Sequence, residues 1–221
     1  SRRPNGWQRV LSLKLQHEEY LLGDDSGIST LLMPGIAYSY LKSDNRLDPS
    51  RGYRVQFELA GAQEGLGSDA SVVSGEVGLR GLITLAERHR FLGRVQVGGT
   101  ETDDYASVPP SLRFFAGGDQ SVRGYDYQSL SPTNSRGDRV GGRYMLAVSG
   151  EYQFALTPTW RLATFADHGN AFNSLEIPSL KSGVGFGVRW VSPVGPLRLD
   201  LAHPLDGTGG VRLHFSMGPE L

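Results

Sequence analysis

The 221-residue sequence contains no cysteine, which removes disulfide frameworks and thiolate metal sites. It has no apolar run long enough for a membrane-spanning helix, and its mean hydropathy is −0.28. It also lacks an excess of either charge: Lys plus Arg number 22, Asp plus Glu 23, for a formal net charge of −1. A nucleic-acid binder normally shows a basic surplus, so no nucleic-acid partner is expected. The histidines, His17, His89, His168, His203 and His214, are scattered without metal-ligand spacing, and neither metal nor cofactor is expected. The acidic pairs Asp24-Asp25 and Asp103-Asp104 are read as solvated loop residues, ahead of a calcium site. No Gly-x-Ser-x-Gly elbow and no phosphate loop occurs, so no catalytic residue is assigned and the chain is not read as an enzyme. No signal peptide is visible, which places the start of this numbering after processing or inside a longer parent.

What the sequence does contain is alternation. Tyr53, Val55, Phe57 and Leu59 alternate with Arg54, Gln56 and Glu58; Val184, Phe186, Val188 and Trp190 alternate with Gly183, Gly185, Gly187 and Arg189. Period-two patterning of this kind marks strands with one apolar and one polar face. It recurs near 7–20, 30–42, 52–63, 70–85 and 89–100, and again near 143–156, 160–169, 182–191, 196–203 and 211–217. Between the two groups lies a long glycine- and polar-rich segment near 101–142. The strands are long enough to cross hydrocarbon when tilted, and a barrel escapes the hydropathy test because only every second residue meets lipid. Connections alternate too: tight at 86–88, 156–159 and 192–195, longer and polar near 21–29, 62–70, 170–181 and 204–209. The connection at 43–51 falls on the short side yet is long. The fold class is therefore all-β, an antiparallel transmembrane β-barrel with about ten strands present, and one domain over the whole chain. A soluble β-sandwich also alternates, but its strands are shorter.

Within the long loop, Arg113-Phe114-Phe115-Ala116-Gly117-Gly118-Asp119-Gln120-Ser121-Val122-Arg123-Gly124-Tyr125 resembles the hairpin-loop motif of the outer-membrane assembly superfamily that includes BamA. Phe165-Ala166-Asp167-His168-Gly169 is similar to that family's Asp-x-Gly strand, and Gly185–Trp190 with Ser192–Pro196 and Arg198-Leu199-Asp200 to its strand–turn–strand signature. The ending Met217-Gly218-Pro219-Glu220-Leu221 resembles the barrel subunit of the translocation and assembly module (TamA). These motifs run in order through about the last half of the chain.

The resemblance implies an outer-membrane location and insertion or assembly of other outer-membrane proteins, notably autotransporters, through strand pairing at a weak barrel seam. Implied partners are outer-membrane lipid, nascent outer-membrane proteins and a periplasmic TamB-like partner. The family barrel has about sixteen strands preceded by periplasmic POTRA modules, so the chain is read as a C-terminal part of such a barrel, lacking the modules and the first strands. The resemblance also assigns Arg123 as a structural clamp that reaches inward to carboxylates, with Gly117, Gly118, Asp119, Gly124 and Tyr125 shaping its loop. Asp167 matches the family's partner position; by alternation Glu151, Asp200 and Arg189 also face inward. Arg80, Arg94, Arg189 and Arg198 are read as a water-bathed interior network. Val211, Leu213, Phe215 and Met217 form the final strand at the seam. Ten strands would either close on themselves or leave free edges near Trp7–Leu15 and Val211–Met217 that pair with another copy. Three rival readings stay open: a two-partner secretion transporter, a passive pore, and a barrel fused to an upstream enzyme.

Overall fold

The computed structural model describes residues 6–23, 25–176, 179–193, 195–206 and 209–221. Asp24 of the first acidic pair, Val194 of the tight turn and residues 207–208 lie outside this set, as does the side chain of Asp25. The strands are β1 (Gln8–Leu22), β2 (Asp25–Ser43), β3 (Arg51–Ala62), β4 (Val72–Leu85), β5 (His89–Thr102), β6 (Tyr144–Ala155), β7 (Trp160–Phe172), β8 (Lys181–Ser192), β9 (Gly195–Pro204) and β10 (Arg212–Met217). They form a single antiparallel ten-stranded sheet in chain order, and among the described residues no ladder joins β1 to β10. The loop between β5 and β6 carries one short 3-10 turn, Pro110–Leu112, and packs Ala116, Val122, Tyr125 and Leu130 against Met145 of the inner face.

Register turns the sequence alternation into two chemically distinct faces. Phe57 opposes Val77, Val77 opposes Val97, and Val97 opposes Leu146, so one apolar row crosses four strands. Leu13, Leu15, Leu79, Ile83, Phe186, Leu213, Phe215 and Met217 are likewise exposed on the outer face. So continuous an apolar surface on strands of this length is a surface for hydrocarbon. Aromatic rings collect at the short-turn end: Trp7 against Tyr38 and Tyr40, Tyr40 stacked on Tyr53, Phe91 against Tyr152, and Trp160 stacked on Trp190 at 5.9 Å. Amphipathic rings favour the level of lipid headgroups, and this belt marks one membrane interface.

Two boundaries differ from the sequence reading. The expected polar loop at 21–29 is instead a hairpin that stays paired from Gln8↔Ser39 to Leu22↔Asp25. Its far half extends past the β2–β3 ladder, which stops at Gly35↔Ala60; Leu31 and Met33 there are buried with Val72 and Val108, and only the glycine- and serine-rich tip loses the alternation signal. The edge thus exposed on β2 is covered by the β3–β4 loop. Asp69 accepts the Thr30 N–H at 2.7 Å and Ser68 accepts the Leu32 N–H at 2.9 Å. Pro34, next in that row, has no N–H to leave unpaired. At the other end of the chain, Val211 precedes β10, which begins at Arg212. Its apolar side chain continues the alternation, but no ladder partner reaches it.

The two faces set different tolerances for charge. Replacing outward Val77 by Arg should cost about 2–4 kcal/mol at mid-bilayer depth. Gln96→Lys on the inner face, where Gln96 already donates to Glu76 at 2.9 Å, should cost clearly less. Urea unfolding in lipid vesicles measures both.

Candidate functional site

The site assembles where the long loop meets the inner face of β6–β10. Between Gly117 and Ser121 the loop turns back on itself: Ser121 Oγ accepts the Gly117 N–H at 2.7 Å and Val122 O accepts the Gly118 N–H at 3.1 Å. Gly117 has φ +101°, and a Cβ there would strike the Asp126 carbonyl. Gly124 has φ +94° and packs against the His203–Pro204 peptide. Only glycine meets both demands at low cost. A small apolar core of Ala116, Val122, Tyr125, Leu130 and Met145 seats this part of the loop on the sheet.

That seating delivers Arg123 into the interior. Its Nε donates to Asp167 Oδ2 at 2.7 Å and its Nη2 to Asp167 Oδ1 at 2.9 Å, a two-pronged fork. Its backbone N–H donates to the same carboxylate at 3.0 Å. Nη1 reaches Glu151 Oε2 at 2.9 Å and Asp200 Oδ2 at 3.1 Å, and the guanidinium lies 3.4 Å over the Phe165 ring. Arg189 closes the cluster from β8, its Nε donating to Glu151 Oε1 at 2.9 Å and its Nη1 to Asp200 Oδ1 at 2.6 Å. Asp167 is 1% exposed and Arg189 1%, so these charges are screened little by water. Planar forks meeting carboxylates in this way are among the stronger polar contacts in proteins. The glycines of β8 make the room: a Cβ on Gly183 would collide with the Arg123 carbonyl, on Gly185 with the Phe165 ring, and on Gly187 with the Asp200 carboxylate.

Each residue singled out in the sequence has a definite place. Asp167, Glu151, Asp200 and Arg189 converge on Arg123. The Tyr125 hydroxyl donates to Ser182 O at 3.2 Å; burial, with Asp206 beside it, pushes the phenol up to about 12. Asp119 pairs with His214 of β10. Gly118 packs against Tyr127. Leu213, Phe215 and Met217 point outward and do not meet the cluster. Of the interior arginines, Arg94 bonds the loop at Ser121 O (2.7 Å), whereas Arg80 and Arg198 have no carboxylate within ion-pair distance among the described residues. Asp104 of the second acidic pair accepts the Ala106 N–H at 3.1 Å and holds its own turn together.

Several contacts escaped the sequence reading. His214 Nε2 accepts the Gly124 N–H at 3.0 Å, which leaves Nδ1 as the donor to Asp119. Arg212 grips Gly124 O at 2.8 Å and Asp126 Oδ2 at 2.8 Å, so the inner face of β10 holds the loop directly. Arg113 ties the loop to itself through Val108 O (2.8 Å) and Val140 O (3.0 Å). A second cluster lies at the short-turn end. Asp48, on the long 43–51 connection, reaches Arg90 at 2.9 Å and Arg161 at 2.7 Å. Glu220 meets Arg90 at 2.8 Å, and Gln153 donates to both Glu220 (2.7 Å) and Glu151 (2.8 Å), linking the two clusters. Leu221 packs over Gly52. The excess length of that connection is thus used to cross the interior. The connection is stiffened by Asp44, whose carboxyl is held down at about 2, chiefly by the Ser50 hydroxyl.

A curved sheet with a hydrocarbon-facing exterior, an aromatic belt and an interior loop anchored by a buried arginine defines an outer-membrane β-barrel of the kind that carries an internal loop plug. Sequence comparison agrees: residues 8–220 match the Omp85 superfamily domain, and the chain belongs to that superfamily. It is 34% identical over 190 residues to the outer membrane protein assembly factor BamA of Nitratidesulfovibrio vulgaris, covering 80% of this chain and 24% of that protein. It is 26% identical over 224 residues to BamA of Neisseria meningitidis, covering 83% of this chain and 28% of that protein. A 120-residue stretch is 32% identical to the chloroplastic outer envelope protein 80 of Arabidopsis thaliana, covering 49% of this chain and 15% of that protein. The crystal structure of BamA from Haemophilus ducreyi lacking POTRA domains 1–3 shares the fold with a TM-score of 0.76 at 18% identity, over 96% of this chain and 50% of that one. The chain spans about a quarter of the length of the curated BamA relatives.

Two measurements follow from the clusters. Asp167→Ala leaves Arg123 without its fork and should destabilise the fold by about 3–5 kcal/mol, as breaking a buried ion pair does. Glu101→Ala, which removes an exposed carboxylate, should fall within about 0.5 kcal/mol of the parent, and chemical unfolding in detergent compares them. The Asp44 contribution is complete above its ordinary value of 3.8 and fades as pH falls toward about 2. Amide chemical shifts of Ser50 and Arg51 should hold their positions at pH 4 and move only across that lower window.

Proposed function

We propose that this chain is the C-terminal part of an outer-membrane protein assembly factor, with its long loop clamped in the barrel interior. The observation that carries the proposal is that Arg123 joins the loop to carboxylates on β6, β7 and β9 while His214 and Arg212 join the same loop to β10. The last strand is thereby held from the inside while its outer edge carries no partner strand among the described residues. An unpaired strand edge accepts an incoming strand through backbone hydrogen bonds, the chemistry that insertion of a nascent barrel needs. The similarity to BamA proteins supports assembly in general. The finer reading, a TamA-type factor that works on autotransporters with a TamB-like periplasmic partner, rests on the Met217–Leu221 ending.

The test uses the full-length protein in liposomes supplied with unfolded clients. Intact protein should raise the yield of folded, protease-resistant client, and Arg123→Ala should return that yield to the background of empty liposomes. Arg123→Lys should rescue little, because one ammonium cannot reproduce the fork on Asp167. Accelerated folding of an autotransporter but not of a generic barrel supports the TamA-type reading; equal acceleration of both supports the BamA-type one. A steady channel current unaffected by Arg123→Ala, with no client folding, would mean a passive pore and would end the assembly reading.

A further inference from the structure

Beside the Arg123 cluster, in the cross-strand row that continues through Ser149 to Asp167, the inner face carries a run of like charge. Arg54 on β3 stands directly opposite Arg80 on β4, and Arg80 directly opposite Arg94 on β5. Arg198, from β9 across the interior, lines the same cavity of about 270 Å3. Like charges in facing positions of neighbouring strands repel and destabilise a sheet. Here no close ion pair offsets the repulsion: among the described residues none of the four has a carboxylate at ion-pair distance. Arg94 makes one bond, to Ser121 O, and the Nε atoms of Arg94 and Arg198 are buried without a partner. The carboxylates around the cavity are engaged elsewhere. Glu151 and Asp200 serve Arg123 and Arg189, Asp119 serves His214, and Glu220 serves Arg90.

From this geometry we infer that the cavity is a binding site for a phosphate-type oxyanion, bridged by Arg54, Arg80, Arg94 and Arg198. Guanidinium forks match phosphate oxygens in pairs, and several together favour a multiply charged oxyanion over a single carboxylate. The walls decide against a polypeptide occupant. Loop residues Asp119 and Gln120 and the segment Gly218–Leu221 line the cavity beside the arginines, and a volume of about 270 Å3 suits a small group. A free phosphate and the phosphate of a lipid headgroup share this chemistry. Arg123 and His214 also line the cavity, but the inference does not rest on the assembly reading, since the four bridging arginines belong neither to β10 nor to the Arg123 ion pairs.

Pyrophosphate is the probe, titrated into the full-length protein in a zwitterionic detergent and followed by calorimetry and by the temperature of heat-modifiable unfolding. The expected result is saturable one-site binding that raises the unfolding temperature. Arg80→Gln and Arg198→Gln should each weaken binding about tenfold or more. Without pyrophosphate the same variants should unfold at an equal or higher temperature, because each removes a repelled charge. This second readout separates loss of a site from loss of fold. Repeating the titration in nanodiscs containing phosphatidic acid tells the sources apart: loss of the pyrophosphate response means lipid phosphate fills the cavity, and persistence means soluble phosphate does. Absence of saturable binding to the parent in detergent, or equal binding by both variants, overturns the site.

Discussion

Hydrocarbon cannot solvate a backbone amide or a charge, and the whole arrangement depends on that limit. An N–H or C=O left unpaired within the lipid costs several kcal/mol, so ladders pair nearly all of them and charged side chains turn away from it. Alternation then drives polar residues to one side of the sheet. Arg54, Glu58, Arg80, Arg94, Glu151, Asp167, Arg189 and Asp200 therefore share one interior, where each must find a partner among the others or in water. A loop threaded into such a space can be held firmly by one guanidinium, because few waters compete for it.

The interior is built as two connected clusters. In the upper one, two guanidiniums, Arg123 and Arg189, share the carboxylates of Asp167, Glu151 and Asp200, drawn from β6, β7 and β9. In the lower one, Asp48 and Glu220 bring a turn and the segment after β10 onto Arg90 and Arg161. The fully buried amide of Gln153 bonds both clusters. Strands far apart in the sheet are thus coupled through side chains, while β10 gains further ties to the loop through His214 and Arg212. Such coupling ties the wall together from within, and among the described residues the outer edge of the last strand has no ladder.

Much of this was legible before any coordinates. Alternation put Glu151, Asp200 and Arg189 on the inner face, and the motif Phe165–Gly169 singled out Asp167. The glycines opposite Val184, Phe186 and Val188 were visible as a bare face, although what they make room for was not. Contacts made across the interior were not legible, since they join residues far apart in the chain on strands that never pair. Asp48 with Arg161, Glu220 with Arg90 and Asp119 with His214 are of this kind. Both strands of the β1–β2 hairpin were legible, and only its tip at 21–29 was misread, for a different reason. At the tip Gly23, Ser26, Gly27 and Ser29 interrupt the apolar phase, so strand residues there read as a loop. Val211 erred the other way, keeping the apolar phase without a partner strand.

Hydrogen exchange, read amide by amide in the full-length protein, tests most directly that the loop is a fixed part of the interior. The amides of Ala116, Gly118, Arg123 and Leu130, each bonded within the loop or to Asp167, should exchange as slowly as those of β6–β8. Exchange of these amides as fast as that of exposed Arg136 would mean the loop is not held, and would contradict the account.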